Sequence, residues 1–313
     1  MFFFSLFFAA MATTMATAVS KKSVRVVQYN VNRFKDFEAV AAALEKLRPN
    51  IVALNEVDVT EVPGCLERLA AKLNLTGGHF FFGHARSGTY GNALLCDRPC
   101  EVAQTQHLRG GAVVTFGNTD ERHHVVRGLL VVKVKGLFSV AVTHLDHVDE
   151  DERATQATSL LEALEQGESS SRDVLLIGDL NALRKADYAP DHWDRLRARN
   201  DRKGWRPPAD SAEEKGALGV LANAGYVDLA LLRGDPPHMT SLAHCDLRHD
   251  ETACGTIACQ RIDYAFASPN LAKKVAHCQV SADSSALGSD HFPLLVDLTI
   301  DDGTCDGTEG LTD

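Results

Sequence analysis

Short apolar runs, each closed by a polar residue or a glycine, set the rhythm of this chain. Val174-Leu175-Leu176-Ile177 has no polar break, which predicts a strand buried on both faces. Gly178 then opens a turn that presents Asp179 and Asn181. In extended backbone, positions i and i+2 face the same way. A carboxylate and a carboxamide are therefore expected to point at one spot on the rim of the core. The same pair also fits an Asx turn that only closes the strand.

The remaining pattern falls into similar pieces. Ser23–Val31 reads as a strand that carries Asn30 near its end. Phe37, Val40, Ala41, Leu44 and Leu47 recur at helical spacing over 36–48, and Pro49 closes the segment. Ile51–Val57 is a second strand with the polar pair Asn55-Glu56, and a helix is expected over 61–74. Strands follow at 80–82, 92–96, 102–108, 125–134 and 138–144, with Gly or polar breaks between them. A helix over 150–166 leads into the 174–177 strand. The polar stretch 183–225 is irregular, with helix expected near 187–199 and 211–224. Strands return at 261–267, 275–282 and 291–298, and the acidic, Gly-rich residues 301–313 are expected to be disordered. Runs of strands with interspersed helices predict an α+β protein of stacked sheets with helices outside, one domain over 21–300.

Composition adds constraints. The 313 residues are 45% hydrophobic and 24% charged, ordinary for a globular domain. A net charge of −10 gives no overall basic footprint for wrapping duplex nucleic acid. An acidic enzyme can still act on phosphates when a cation screens the site. Residues 2–10 are strongly apolar but too few to span a bilayer, so no transmembrane anchor is expected. With the Ala16-Thr17-Ala18 sequence they read either as a signal peptide or as an upstream extension. The first reading places the protein in the secretory pathway, the second in the cytoplasm. The sequon Asn74-Leu75-Thr76 matters only in the first case. Eight cysteines permit disulfides without requiring them. Cys245, Cys254 and Cys259 near His244 and His249 lack the paired spacing of a structural zinc site, so a loop disulfide or free thiols is preferred. No obligate protein partner is evident.

Polar residues capable of site chemistry recur at strand ends: Asn30, Glu56, His144, Asp179 with Asn181, Asp263, and Asp290 with His291. Each has a plain structural alternative, such as a rim salt bridge for Glu56 or a cap for Ser289-Asp290-His291. Their joint appearance is what points to a site. The pieces Gln28-Tyr29-Asn30-Val31-Asn32, Ala53-Leu54-Asn55-Glu56-Val57, Tyr90-Gly91-Asn92-Ala93-Leu94, Arg127-Gly128-Leu129-Leu130, Thr143-His144-Leu145-Asp146-His147, Gly178-Asp179-Leu180-Asn181-Ala182, Arg261-Ile262-Asp263-Tyr264 and Ser289-Asp290-His291-Phe292-Pro293 come in one order. In that order the chain resembles the endonuclease/exonuclease/phosphatase (DNase I-like) family over about 24–298. Arg153 and Gln156 also match.

The resemblance implies a four-layer α/β/β/α sandwich of two stacked, mainly antiparallel sheets. It implies a Mg²⁺-dependent phosphoesterase, with Mn²⁺ as a possible substitute. Glu56 would be the main metal ligand, with Asn30 and Asp290 in the same metal region. Asp179 would orient or deprotonate the attacking water, and Asn181 would hold that water or a phosphate oxygen. His144 and His291 would contact the scissile phosphate, with Asp263 orienting His291. Whether Asp179 or His291 takes the proton stays open. At the Tyr90-Gly91-Asn92 piece the choice falls on Asn92 as a substrate contact, with a turn residue as the alternative. Arg127 is either a substrate-binding group at the site edge or a salt-bridge partner. His123 and His124 are expected to face solvent, and Trp193 and Trp205 either to stack on a base or, the preferred reading, to pack in the core or a loop. The substrate is a phosphate ester, with nucleic acid or nucleotide favoured over a lipid headgroup. A fold that had lost its activity and only binds is the alternative of another class.

Overall fold

The computed structural model describes residues 21–84, 88–115, 121–167, 173–205, 215–232, 238–241, 260–281 and 288–301. In chain order they form β1 (Lys21–Asn30), α1 (Phe37–Leu47), β2 (Ile51–Asp58), α2 (Cys65–Leu73), β3 (Gly78–Gly83), β4 (Tyr90–Cys96) and β5 (Cys100–His107). A short hairpin of β6 (Val113–Thr115) and β7 (Arg122–His124) precedes β8 (Gly128–Val134), β9 (Ser139–His144), α3 (Glu150–Gln166) and β10 (Val174–Asp179). Then come α4 (Pro190–Arg202), α5 (Ala217–Asn223), β11 (Val227–Asp228), β12 (Asp263–Ala267), α6 (Pro269–Ala272), β13 (Val275–Val280) and β14 (Leu294–Asp301). The expectations placed on residues 1–20, on Cys245, Cys254 and Cys259, and on 302–313 lie outside the described residues.

Two six-stranded sheets stack on one another, in the orders β13-β14-β1-β2-β4-β3 and β11-β12-β10-β9-β8-β5. Each is antiparallel except for one central parallel pair, β1 with β2 and β9 with β10. Inward residues such as Val26, Ala53, Leu94, Val132, Val142 and Ile177 fill the space between the sheets. The alternate residues of the first sheet, including Val27, Val52 and Leu54, pack under α1 and α2. Those of the second, including Val131, Ala141 and Leu176, pack under α3 and α5. This period-two division of each strand between two apolar layers explains the unbroken apolar runs in the sequence. The result is the expected α/β/β/α sandwich.

Capping residues set the crossover helices. The Asp36 carboxylate accepts from Ala39 N at the start of α1, and that of Asp149 accepts from Asp151 N at the start of α3. Each crossover returns the chain parallel to the strand it left. The C-terminal ends of β1, β2, β9 and β10 therefore meet at one edge of the sandwich.

Some boundaries differ from the pattern. The single strand expected over 125–134 is interrupted. Val125 N donates to Ala112 O, extending the β6–β7 hairpin, and the ladder of β8 resumes only at Gly128. The last strand begins at Leu294 rather than His291, because Pro293 has no N–H to give a ladder. A disulfide joins Cys96 to Cys100 where the chain passes from one sheet to the other, while Cys65 and Cys278 are free.

Gly178 sits at φ 153°, and a Cβ there would overlap the Thr143 carbonyl on the paired strand. Gly178→Ala is therefore expected to cost about 2–4 kcal/mol of unfolding free energy, from backbone strain plus steric displacement. A urea midpoint within error of wild type would contradict this.

Candidate active site

Glu56 reaches the site through a β-bulge. In β2, Val52 and Leu54 face the helix layer, and so does Val57. The alternation therefore slips by one residue between them. The β2–β4 register shifts at this point, and Glu56 takes φ 56°, a left-handed conformation. Without the extra residue Glu56 would face the helices; with it the carboxylate enters the cavity. A strained non-glycine residue at a sheet end is typical of a functional constraint.

Behind Glu56 lies a buried amide network that ties the sheets together. Asn55 Nδ2 donates to Asn92 Oδ1 (2.8 Å) and Thr143 O (2.9 Å). Asn55 Oδ1 accepts from Gln28 Nε2 and Asp179 N, both at 3.0 Å. Gln28 also donates to Asp263 Oδ1 (2.8 Å). Asn92 has no exposed surface, and its amide nitrogen donates to Gly128 O (3.0 Å). The expectation that Asn92 contacts substrate is thus corrected: its amide is committed to the inter-sheet network, away from the cavity. The cavity residue of that piece is Tyr90. Its hydroxyl is held neutral by burial and by the neighbouring Glu56.

Asp179 is the centre of the cluster and is nearly inaccessible. Its Oδ2 accepts from Asn30 Nδ2 (3.0 Å) and faces His144 Nε2 at 3.6 Å and His291 Nε2 at 3.8 Å. Its Oδ1 accepts from Asn181 N (3.0 Å). Asn181 adopts φ 50° and donates its side-chain amide to Leu145 O (3.1 Å). The expected pairing of Asp179 with Asn181 through strand geometry is therefore corrected. A left-handed turn joins them, the Asx turn and the site being one structure, and both residues line the cavity.

Asn30 lies against both acids. Its Nδ2 donates to Glu56 Oε1 (3.1 Å) as well as to Asp179, and its Oδ1 accepts from Asn32 N. The atom facing the carboxylates is a donor, so Asn30 clamps the two acids together. Asp290 lines the cavity beside His291 but lies outside the tight clusters. Asp263 is buried and accepts from His291 Nδ1 (2.8 Å). Thr240 Oγ1 accepts from Asp263 N and fixes its backbone.

The electrostatics divide the groups by role. Burial, then the Asp263 charge, push the Asp179 carboxyl up to about 7. Burial alone would lower His291, but Asp263 overrides it and raises the imidazole to about 10. His144 is pushed well below its ordinary value by burial and by Arg127, and is neutral. One imidazolium and one neutral imidazole thus flank a carboxylate whose proton is easily gained and lost near neutrality.

Around this centre lies a cavity of about 520 Å³. Arg33, His84, Arg127, His147, Arg199 and Trp205 contribute to its walls. His123 and His124, expected in solvent, belong to the β6–β7 hairpin at its rim. Trp193 is core, as expected, whereas Trp205 lines the cavity edge-on to His147. Arg109 pairs with Glu162 on α3. Arg153 donates to Asp146 O, and Gln156 Oε1 accepts from Asp146 N, so both hold the loop that follows His144.

Whether this site fits a divalent cation is a question of its donors and charge. Ligand atoms of Glu56, His144 and Asp179 lie within 4.8 Å of one another, as do those of Asp179, Asp263 and His291. The second group is closed by the Asp263–His291 bond. The first opens to the cavity, and the raised Asp179 signals negative charge that burial leaves uncompensated. Glu56, the acid that enters this cavity through the bulge, is the residue that would hold the ion.

A model of the endonuclease/exonuclease/phosphatase family matches residues 27–291. The chain belongs to this family. It is a metal-dependent hydrolase of phosphoric esters. No curated protein sequence matches it. Among solved structures it is similar to an endonuclease/exonuclease/phosphatase from Bacteroides vulgatus, at 19% identity and TM-score 0.58, covering 88% of this chain and 98% of that one. An AP endonuclease from Archaeoglobus fulgidus matches at 16% identity and TM-score 0.55, covering 89% and 99%. The 3′ phosphatase NExo from Neisseria, bound to product DNA hairpin, matches at 16% identity and TM-score 0.58, covering 88% and 99%. At these identities the likeness is one of fold. The sequence gives no site role to His84, Arg33 or His147: the first two lie outside the motif pieces, and His147 closes one whose expected site residue is His144. Among the described residues, no helix is long and apolar enough to cross a membrane.

Proposed function

We propose that the protein is a Mg²⁺-dependent phosphoesterase that hydrolyses a phosphodiester or phosphomonoester of a nucleic acid or nucleotide by direct attack of water. The observation that carries this reading is the convergence of Glu56, Asp179, His144 and His291 at the floor of one cavity. When bound, the cation supplies charge neutralisation at the phosphoryl group. Asp179, the carboxylate that faces both His144 and His291, takes the proton of the attacking water. His291, held as the cation by Asp263, and His144 offer N–H groups to the phosphate oxygens, where charge builds in the transition state. Arg127 adds positive potential from the cavity wall. Asn181, which lines the cavity beside Asp179, would hold the water or a phosphate oxygen.

The hard carboxylate oxygens of Glu56 suit Mg²⁺, with Mn²⁺ as a substitute. A nucleic-acid or nucleotide substrate is supported by the aromatic and cationic walls, Tyr90, Trp205, Arg33 and Arg199. It is also supported by the DNA-bound state of the similar 3′ phosphatase. The test is a turnover screen of purified protein across single-stranded DNA, RNA, nucleotides, phosphoinositides and sphingomyelin, with and without Mg²⁺. Metal-dependent release of phosphate or mononucleotides supports the reading. Preference for a lipid headgroup would move the substrate class, and no turnover on any would favour a binding module. Glu56→Gln is expected to weaken Mg²⁺ activation at least tenfold. A metal titration that superimposes on wild type would remove Glu56 from the metal site.

A further inference from the structure

Arg127 is 6% exposed and its bonds are unusual. Its Nη1 donates to His144 Nδ1 (3.4 Å) and its Nη2 to His147 Nδ1 (3.3 Å). Its Nε is buried with no partner, and among the described residues no carboxylate pairs with it. The salt bridge considered from sequence is therefore absent from this region, and a buried guanidinium has been set against two imidazoles.

A guanidinium can only donate. An imidazole nitrogen that receives such a bond must carry a lone pair. Both Nδ1 atoms are thus unprotonated, and in the neutral ring the hydrogen lies on Nε2. His144 Nε2 is the atom facing Asp179, in the cluster it shares with Glu56. A nitrogen that carries a hydrogen in the ring plane has no lone pair for a metal. By ligand type alone, the three residues of that cluster would make a mixed nitrogen and oxygen site suited to zinc. With His144 removed as a ligand, only carboxylate oxygens remain, a hard set. Reversing the tautomer would set N–H against N–H in a buried site and leave a charged donor unsatisfied, a bias of roughly tenfold or more.

We propose that Arg127 is a positioning residue that locks His144 and His147 in the tautomer protonated at Nε2, keeping His144 a hydrogen-bond donor and out of the metal's coordination sphere. The assignment deepens the reading of the site given above. It places the choice of metal in a residue that touches neither the metal nor its carboxylate ligands.

The test is side-chain ¹⁵N–¹H correlation spectroscopy of the metal-free full chain, with His144→Asn and His147→Asn spectra for assignment. Wild type is expected to show both rings as the Nε2–H form, by at least tenfold. A wild-type His144 protonated at Nδ1 overturns the proposal without any Arg127 variant being needed. Arg127→Lys keeps a donor and is expected to retain the Nε2–H form at one ring at least. Arg127→Met is expected to mix the tautomers of His144. In the same variant, Zn²⁺ is expected to bind at least tenfold tighter, with Mg²⁺ affinity changed less than threefold. Bound Co²⁺ is expected to gain the stronger visible absorption of nitrogen ligation. An Arg127→Met protein whose tautomers stay fixed, or whose tautomers mix while Zn²⁺ and Co²⁺ behave as in wild type, refutes the lock or its metal consequence respectively. These readouts need no substrate. A correct tautomer in a protein that turns over none of the screened esters leaves the lock standing and overturns the proposed function instead.

Discussion

Asp179→Asn is expected to lower kcat by about 10³-fold with KM little changed, and to raise the melting temperature of the metal-free protein at pH 8. The kinetic half follows from its place: Asp179 is the carboxylate met by Asn30, His144 and His291 together, and an amide of the same shape cannot take a proton from water. The stability half follows from linkage. Burial and the Asp263 charge raise the folded carboxyl from 3.8 to about 7. The folded state thus binds the proton more tightly than the unfolded one. The stabilisation is fully present below about pH 4 and is lost as pH rises through about 7. A shift of that size is on the order of 4 kcal/mol. The asparagine variant does not ionise, so it escapes this loss and should match wild type only in acid. Steady-state kinetics and melting curves at pH 5 and pH 8 check both halves. A residue with a purely structural role would give the opposite pair of results, a lower melting temperature and a kcat that follows the folded fraction. An effect confined to KM would likewise remove Asp179 from the chemistry. Adding divalent cation should close the stability gap from the wild-type side, since the ion answers the charge that the substitution deletes.

Much of this organisation was legible in the chain, for reasons that can be named. Strands buried on both faces leave unbroken apolar runs, so the 51–57 and 174–177 strands showed themselves. Where such a run stops on an acid or an imidazole, the residue sits at a sheet end, and the sandwich brings those ends together. Asn30, Glu56, His144, Asp179 and His291 were found in this way. Direction was less legible than position. Glu56 enters the cavity only through a bulge that reverses its face, and Asn181 only through a left-handed turn; neither follows from alternation. Asn30 and Asn92 have the right chemistry for a site, yet which amide atom faces the acids, or whether the amide faces the cavity at all, depends on partners from distant strands. His84 shows the limit most plainly. It follows an ordinary edge strand, and nothing local distinguishes it, yet both ring nitrogens are buried without partners among the described residues, against His144 and Tyr90.

Asp263→Asn is expected to destabilise the protein by about 3 kcal/mol at pH 7, to flatten its stability between pH 7 and 10, and to cut kcat by about 10²-fold. The carboxylate is buried, and it accepts from His291 Nδ1 and Gln28 Nε2. Loss of its charge takes the hydrogen-bonded anion from the buried His291 cation and leaves only the more distant Asp179 at 3.8 Å, the costly half of a broken buried pair. Because Asp263 overrides burial and raises His291 from 6.5 to about 10, the pair's contribution is fully present below about pH 6.5. It is lost as pH rises through about 10, when the folded imidazolium gives up its proton. In the variant the folded and unfolded values draw together, and that slope disappears. Catalysis falls with it, because a neutral His291 still hydrogen-bonds a phosphate oxygen but no longer brings a charge to it. Urea unfolding from pH 6 to 10, on wild type, Asp263→Asn, His291→Gln and the double variant, measures the coupling directly. Additive losses, or a variant that keeps the wild-type pH slope, would mean that the two side chains share a bond but no charge. The donor opposite Asp179 would then be neutral, and the burden of stabilising the transition state would pass to the metal and to Arg127.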